Sequence, residues 1–176
     1  VIAPNDYPEF LKWIPGNKDV IIHEMDTINS EDLISSADVI FTLDFNALHR
    51  CGEMRTPIAN AKGVKIMIDH HQQPDSYADY VYSDVTMSST CQMVYHFIEK
   101  MGDIDLLDSD IATCLYTGIM TDTGSFRFRS TTSLTHRVIA NLIDNGAEND
   151  RIHSNVYDSS SYGRLQLLGQ ALSNLK

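Results

Sequence analysis

Positive charge is scarce in this chain: 13 Lys and Arg stand against 24 Asp and Glu, a formal net charge of −11 over 176 residues. Such a field repels long polyanions and argues against a long nucleic-acid groove. It does not exclude a small phosphorylated ligand, because bound divalent cations invert the local sign. No apolar run approaches the length of a membrane span. The N-terminus, Val1-Ile2-Ala3-Pro4, lacks the basic region and apolar stretch of a signal peptide, and it also lacks an initiator Met. It reads as the end of a strand already under way, in a chain cut from something longer. Cysteine is limited to Cys51, Cys91 and Cys114. Their number and spacing fit neither a CxxC metal pattern nor a disulfide framework, so buried free thiols in a reducing cytoplasm are expected. There is no internal repeat and no low-complexity segment.

What is present has the order of an α/β domain. Val20 to His23, Val39 to Leu43, Val64 to Ile68 and Tyr80 to Tyr82 are strand-like runs. A short helix opens at Asn29-Ser30-Glu31-Asp32, with Leu33 and Ile34 available for the sheet. A second crossover spans His49 to Ala61, where Pro57 is expected to break or kink it. Strands alternating with helices at this spacing imply right-handed βαβ units and a parallel, Rossmann-like sheet. After Ser83 the chain turns helical. Ser89 and Gln92 have capping-box spacing ahead of a helix through Met101, and helices follow over Asp110 to Met120 and from Leu134 to Asn145-Gly146. In the tail, Leu165, Leu168, Leu172 and Leu175 form a stripe that requires a partner surface. We read residues 1–158 as part of one domain and 159–176 as a linker helix towards another.

Three acidic positions close apolar segments. Asp44 follows Val39 to Leu43, Asp69 follows Ile66-Met67-Ile68, and Asp122 closes Gly118-Ile119-Met120-Thr121. Two imidazoles, His70 and His71, follow Asp69 directly. In a parallel sheet the strand ends are where polar chemistry begins. Asp44, His70 and Asp122 supply two carboxylates and one imidazole, a donor set suited to Mn²⁺ or Mg²⁺. Adjacent side chains of an extended segment point opposite ways, so only one of the two histidines is expected on an ion. The other is left to contact a phosphate or protonate a leaving group, with Asp69 orienting a ring. Gly124 allows the tight turn that brings Asp122 inward. His23, His96, His136 and His153 read as surface or packing residues.

The Asp69-His70-His71 triplet resembles the signature of the DHH phosphoesterases, and within them the bifunctional oligoribonuclease and pAp-phosphatase (nanoRNase-like) group. Leu43-Asp44-Phe45-Asn46-Ala47-Leu48-His49-Arg50-Cys51-Gly52 is similar to the family's second motif. Thr121-Asp122-Thr123-Gly124-Ser125-Phe126-Arg127 is similar to its fourth, and Ser88-Ser89-Thr90 to a segment that follows the triplet. The resemblance implies a two-Mn²⁺ hydrolase, with Mg²⁺ or Co²⁺ as alternatives. Asp44 would bridge the ions, and His70 and Asp122 would bind one of them. His71, with Asp69 behind it, would be the catalytic pair. Arg50, Ser89 and Arg127 would be the substrate contacts.

The implied substrates are short oligoribonucleotides, released as mononucleotides, and 3′-phosphoadenosine-5′-phosphate. A homodimer is compatible with the resemblance, and a membrane partner is not expected. The family's first motif, a His and two Asp, is expected upstream of Val1, and its C-terminal substrate-binding domain beyond Lys176. The chain alone is therefore expected to bind metal weakly and to be nearly inactive. A cyclic dinucleotide, pyrophosphate or polyphosphate is an alternative substrate within the family. A non-catalytic nucleotide-binding module and a purely structural domain are the alternatives of other classes.

Overall fold

The computed structural model describes residues 1–159 and 162–175. A short parallel pair, β1 (Ile2–Ala3) with β2 (Ile21–Ile22), lies beside a three-stranded parallel sheet of β3 (Val39–Leu43), β4 (Val64–Asp69) and β5 (Tyr80–Ser83) in the order β3-β4-β5. Leu43 is level with Ile68, and Asp69 with Ser83. All three strands therefore present their carboxyl ends at one edge, where Asp44 and the histidines begin. The other edge of β3 is unpaired among the described residues. There Ile2, Val39 to Leu43, Phe45 and Ile58 line an apolar hollow of about 520 Å³.

Crossover helices pack on this frame. In α1 (Thr27–Ser36), Asp26 accepts from the Asn29 amide and caps the first turn. Ile34 enters the core, whereas Leu33, expected against the sheet, faces solvent. The second crossover divides into a 3₁₀ segment (Leu48–Met54) and α2 (Arg55–Asn60). Its break lies at Gly52 (φ 58°, ψ −134°) and not at Pro57. Pro57 sits in the first turn of α2, where a missing N–H removes no intrahelical bond. Ile34, Cys51, Met54, Ile58 and Ala61 form the small core between these helices.

The larger core belongs to the helical part: α3 (Thr90–Met101), α4 (Ser109–Asp122), α5 (Ser133–Asp144) and α6 (Asn149–His153). Tyr95, Leu115, Ile119, Met120, Val138 and Leu142 interlock there. Ser89 caps α3 by accepting from the Gln92 amide at 3.0 Å. The Gln92 side chain does not close the expected box. It turns inward to Ser88 and Thr135. Cys51, Cys91 and Cys114 are free thiols, the first buried as expected and the other two only partly buried. No helix of the described residues is long and apolar enough to cross a membrane. The tail helix α7 (Tyr162–Ser173) buries nothing, and Leu165, Leu168 and Leu172 are exposed along it. Residues 160, 161 and 176 of the expected linker lie outside the described residues.

Candidate metal centre

Asp44 is the first residue beyond β3. Its amide still donates to the Ile68 carbonyl at 3.1 Å, which ties it to β4. The backbone then enters the left-handed region (φ 67°), uncommon outside glycine, and turns the carboxylate across the sheet edge. The Tyr77 hydroxyl, 2.8 Å from the Phe45 carbonyl and 2.6 Å from Thr42 Oγ1, fastens the loop that follows. Asp122 arrives from the opposite side as the last residue of α4. Beyond it Gly124, Ser125 and Phe126 are all left-handed (φ 56°, 60° and 65°), and the Ser125 amide donates back to the Met120 carbonyl at 2.8 Å. This turn reverses the chain immediately after the carboxylate.

The two histidines do not diverge as strand alternation predicts. Their ring centroids are 4.7 Å apart, and His70 Nε2 and His71 Nδ1 each lie 3.6 Å from Asp44 Oδ1. The reason is local. β4 ends at Asp69, and the fully buried Asp69 carboxylate accepts the His71 amide at 2.6 Å, bending the chain so that the period of two no longer applies. The same carboxylate lies 3.2 Å from His71 Nδ1. A buried carboxylate is an acceptor, so Nδ1 carries the proton and Nε2 the lone pair.

His70 also has its Nδ1 engaged, by a different partner. Its Nδ1 donates to the Met87 carbonyl at 3.2 Å, which directs Nε2 at Asp44 Oδ1 and Asp122 Oδ2, each 3.6 Å away, and makes Nε2 the nitrogen that would bind a cation. By distance alone, Asp44, His70 and His71 form the compact group, with ligand atoms within 4.8 Å of one another. Hydrogen bonding separates the two rings. His71 Nδ1 is committed to Asp69, whereas His70 Nε2 is free and lies between two carboxylates. Two carboxylates and an imidazole with its far nitrogen anchored on a carbonyl fit a hard divalent cation. Burial, and then the Asp44 charge, push the Asp122 carboxyl above its ordinary range, while His70 and His71 pull it back. A cation would relieve that crowding of negative charge.

Around this centre Arg50 Nη2 lies 3.4 Å from His71 Nε2, and Nη1 donates to Asn46 Oδ1 at 3.1 Å. Asn46 also donates to the Gln72 carbonyl at 2.7 Å, bridging the loops that leave β3 and β4. Ser89 is fully buried with its oxygen used as the α3 cap. Arg127 is exposed, and its Nε donates to the Gly124 carbonyl at 2.7 Å, within its own turn. The structure thus brings Asp44, Asp69, His70, His71, Asp122 and Arg50 together, and ties Ser89 and Arg127 elsewhere.

Two neighbours escaped the sequence reading. Thr90 donates to Asp44 Oδ1 at 2.6 Å, and Asn46 orients Arg50. Both lie inside quoted motifs, but neither residue type signals such a contact unless the partner's position is known. His23, buried with Nδ1 2.7 Å from Ser30 Oγ, is a packing residue.

A parallel sheet whose strand ends meet a helix end in an acid and histidine cluster defines an α/β protein with a candidate cation centre. The DHH family, N-terminal domain, matches residues 2–119, and the chain belongs to that family. It is 32% identical over 174 residues to the bifunctional oligoribonuclease and PAP phosphatase NrnA of Thermus thermophilus, covering 97% of this chain and 48% of that protein. Against the Bacillus subtilis protein of the same name, identity is 27% over 163 residues, covering 90% of this chain and 50% of that one. A solved exopolyphosphatase-related protein from Bacteroides fragilis superposes with a TM-score of 0.98 at 42% identity, over 100% of this chain and 52% of that one. The chain spans about half the length of these relatives.

Proposed function

We propose that this chain is the catalytic part of a cytoplasmic, metal-dependent phosphoesterase acting on short oligoribonucleotides and on 3′-phosphoadenosine-5′-phosphate. The observation that carries the reading is His70 Nε2, 3.6 Å from both Asp44 Oδ1 and Asp122 Oδ2. These three residues would hold the cation, Mn²⁺ by donor preference, and a second ion would share Asp44. A bound divalent cation supplies Lewis acidity towards a phosphoryl oxygen.

The other roles belong to the protein. Asp69 holds the His71 ring so that Nε2 faces outward beside the Arg50 guanidinium. The Arg50 fork suits a phosphate oxygen pair, and His71 Nε2 is placed to receive or return a proton there. The acidic surface favours short substrates over long ones. Names of the two NrnA relatives support the nucleotide reading, and that of the Bacteroides protein makes polyphosphate the rival substrate.

We further infer that residues 1–158 are part of the catalytic unit and 159–176 a connector. The exposed leucines of α7 support the connector, and the apolar hollow beside β3 supports a seat for one more strand. Accordingly this chain alone should turn over poorly. The test is Mn²⁺-dependent phosphate release from 3′-phosphoadenosine-5′-phosphate, by the chain alone and joined to the remaining half that its relatives carry. Release by the joined form that is lost in His70→Ala supports the reading. Release that survives His70→Ala contradicts the centre, and equal turnover by the two forms contradicts the division of labour.

A further inference from the structure

We propose that Thr90 is a positioning residue for the cation centre, setting the rotamer of Asp44 through a hydroxyl delivered by the start of α3. The proposal rests on the divalent-cation reading above. Asp44 is the carboxylate assigned to both ions, yet its own surroundings restrain it little. Its side chain is half exposed, and its backbone is in a strained left-handed conformation at the end of a strand. A half-exposed Asp samples several rotamers unless a donor holds it. Among the described residues the Thr90 hydroxyl is the one side-chain group that donates a hydrogen bond to that carboxylate, at 2.6 Å to Oδ1. An ionised carboxylate only accepts, so the direction of the bond is unambiguous and its strength is that of a charge-assisted pair.

Thr90 suits this task because of where it lies. Inside a helix a Thr hydroxyl bonds back to the carbonyl of the preceding turn, as Thr117 and Thr121 do in α4. Thr90 is the first residue of α3, where no preceding turn exists, so the hydroxyl can reach across to the strand end. Its β-branched side chain is buried, which restricts χ1.

The helix start is itself fixed. Ser89 caps it, and the Gln92 side-chain oxygen Oε1 accepts from Ser88 and from Thr135 of α5. Ser88, Gln92 and Thr135 are all buried polar residues with no part in the centre. Their network explains itself as the anchor that keeps Thr90 in place over Asp44, an outer-layer support for a metal ligand.

The experiment is Mn²⁺ binding to the 176-residue chain followed by electron paramagnetic resonance, with far-UV circular dichroism and a urea midpoint for each variant. Thr90→Val keeps the shape and removes the hydroxyl, and Thr90→Ser keeps the hydroxyl. Thr90→Ala, which only removes atoms, takes the place of the valine should that variant not fold. Loss of the hydroxyl should weaken Mn²⁺ binding about 10-fold or more, the range for outer-layer partners of metal ligands, with serine near the parent value. A parent that binds Mn²⁺ together with a folded valine or alanine variant that binds it equally well overturns the Thr90 proposal and leaves the centre standing. A lowered urea midpoint with unchanged Mn²⁺ affinity does the same, because it marks packing alone. A folded parent that does not bind Mn²⁺ overturns the centre and the Thr90 proposal together.

Discussion

Asp122 Oδ2 lies 3.6 Å from His70 Nε2, so the end of a helix and the end of a strand meet at one imidazole nitrogen. That contact closes the centre: Asp44 reaches the same nitrogen from β3, and the Met87 carbonyl holds the far side of the ring.

The crowding has a thermodynamic consequence for the metal-free chain. Asp122 is raised above its ordinary range by burial and by Asp44. The folded state therefore holds that proton more tightly than the unfolded state, and the associated stability is present at low pH and lost as pH rises through the raised value. Asp122→Asn removes that loss. In urea denaturation without metal, the variant should be more stable than the parent at pH 7 and converge with it below about pH 4, near the unperturbed carboxylate value. With saturating Mn²⁺ the order should reverse.

Asp69 is expected to act through the fold as well as the site. Its buried carboxylate accepts the His71 amide and faces His71 Nδ1. Asp69→Asn leaves one donor without an acceptor in a buried setting, a cost of about 1–3 kcal/mol. A urea series should show this as a lower midpoint at unchanged slope. An unchanged midpoint would mean that the contact with His71 Nδ1 contributes nothing to stability.

The left-handed turn beyond Asp122 makes opposite predictions for two neighbouring residues. A Cβ at Gly124 (φ 56°) would meet the Phe128 ring at 2.6 Å, so Gly124→Ala should destabilise. Ser125 carries a Cβ at φ 60°, so Ser125→Gly should raise stability by up to about 1 kcal/mol. Thermal midpoints of the two variants check the pair. Shifts of the same sign would contradict the backbone account.

Much of this was legible in the residues because it follows from short-range pattern. Val39 to Leu43 and Val64 to Ile68 are apolar runs of strand length, and they form β3 and β4 in parallel as their spacing implied. Asn145 and Gly146 close α5 as capping chemistry requires. The departures arose where tertiary contacts override local rules. Strand alternation failed at His71 because Asp69 bends the chain, and Pro57 proved harmless because the break had already occurred at Gly52. Thr90 and Asn46 were invisible for a related reason. A hydroxyl or an amide announces a hydrogen bond but not its partner, and Asp44 and Arg50 are brought near them only by the fold.

The central claim is that Asp44, His70 and Asp122 together hold a divalent cation. Titration of Mn²⁺ into the folded parent chain and into His70→Ala, read by the resonance of the free ion, tests it most directly. We expect saturable uptake by the parent and more than about 100-fold weaker uptake by the alanine variant, beyond the range for outer-layer residues. Uptake that is equal with and without the imidazole would contradict the account.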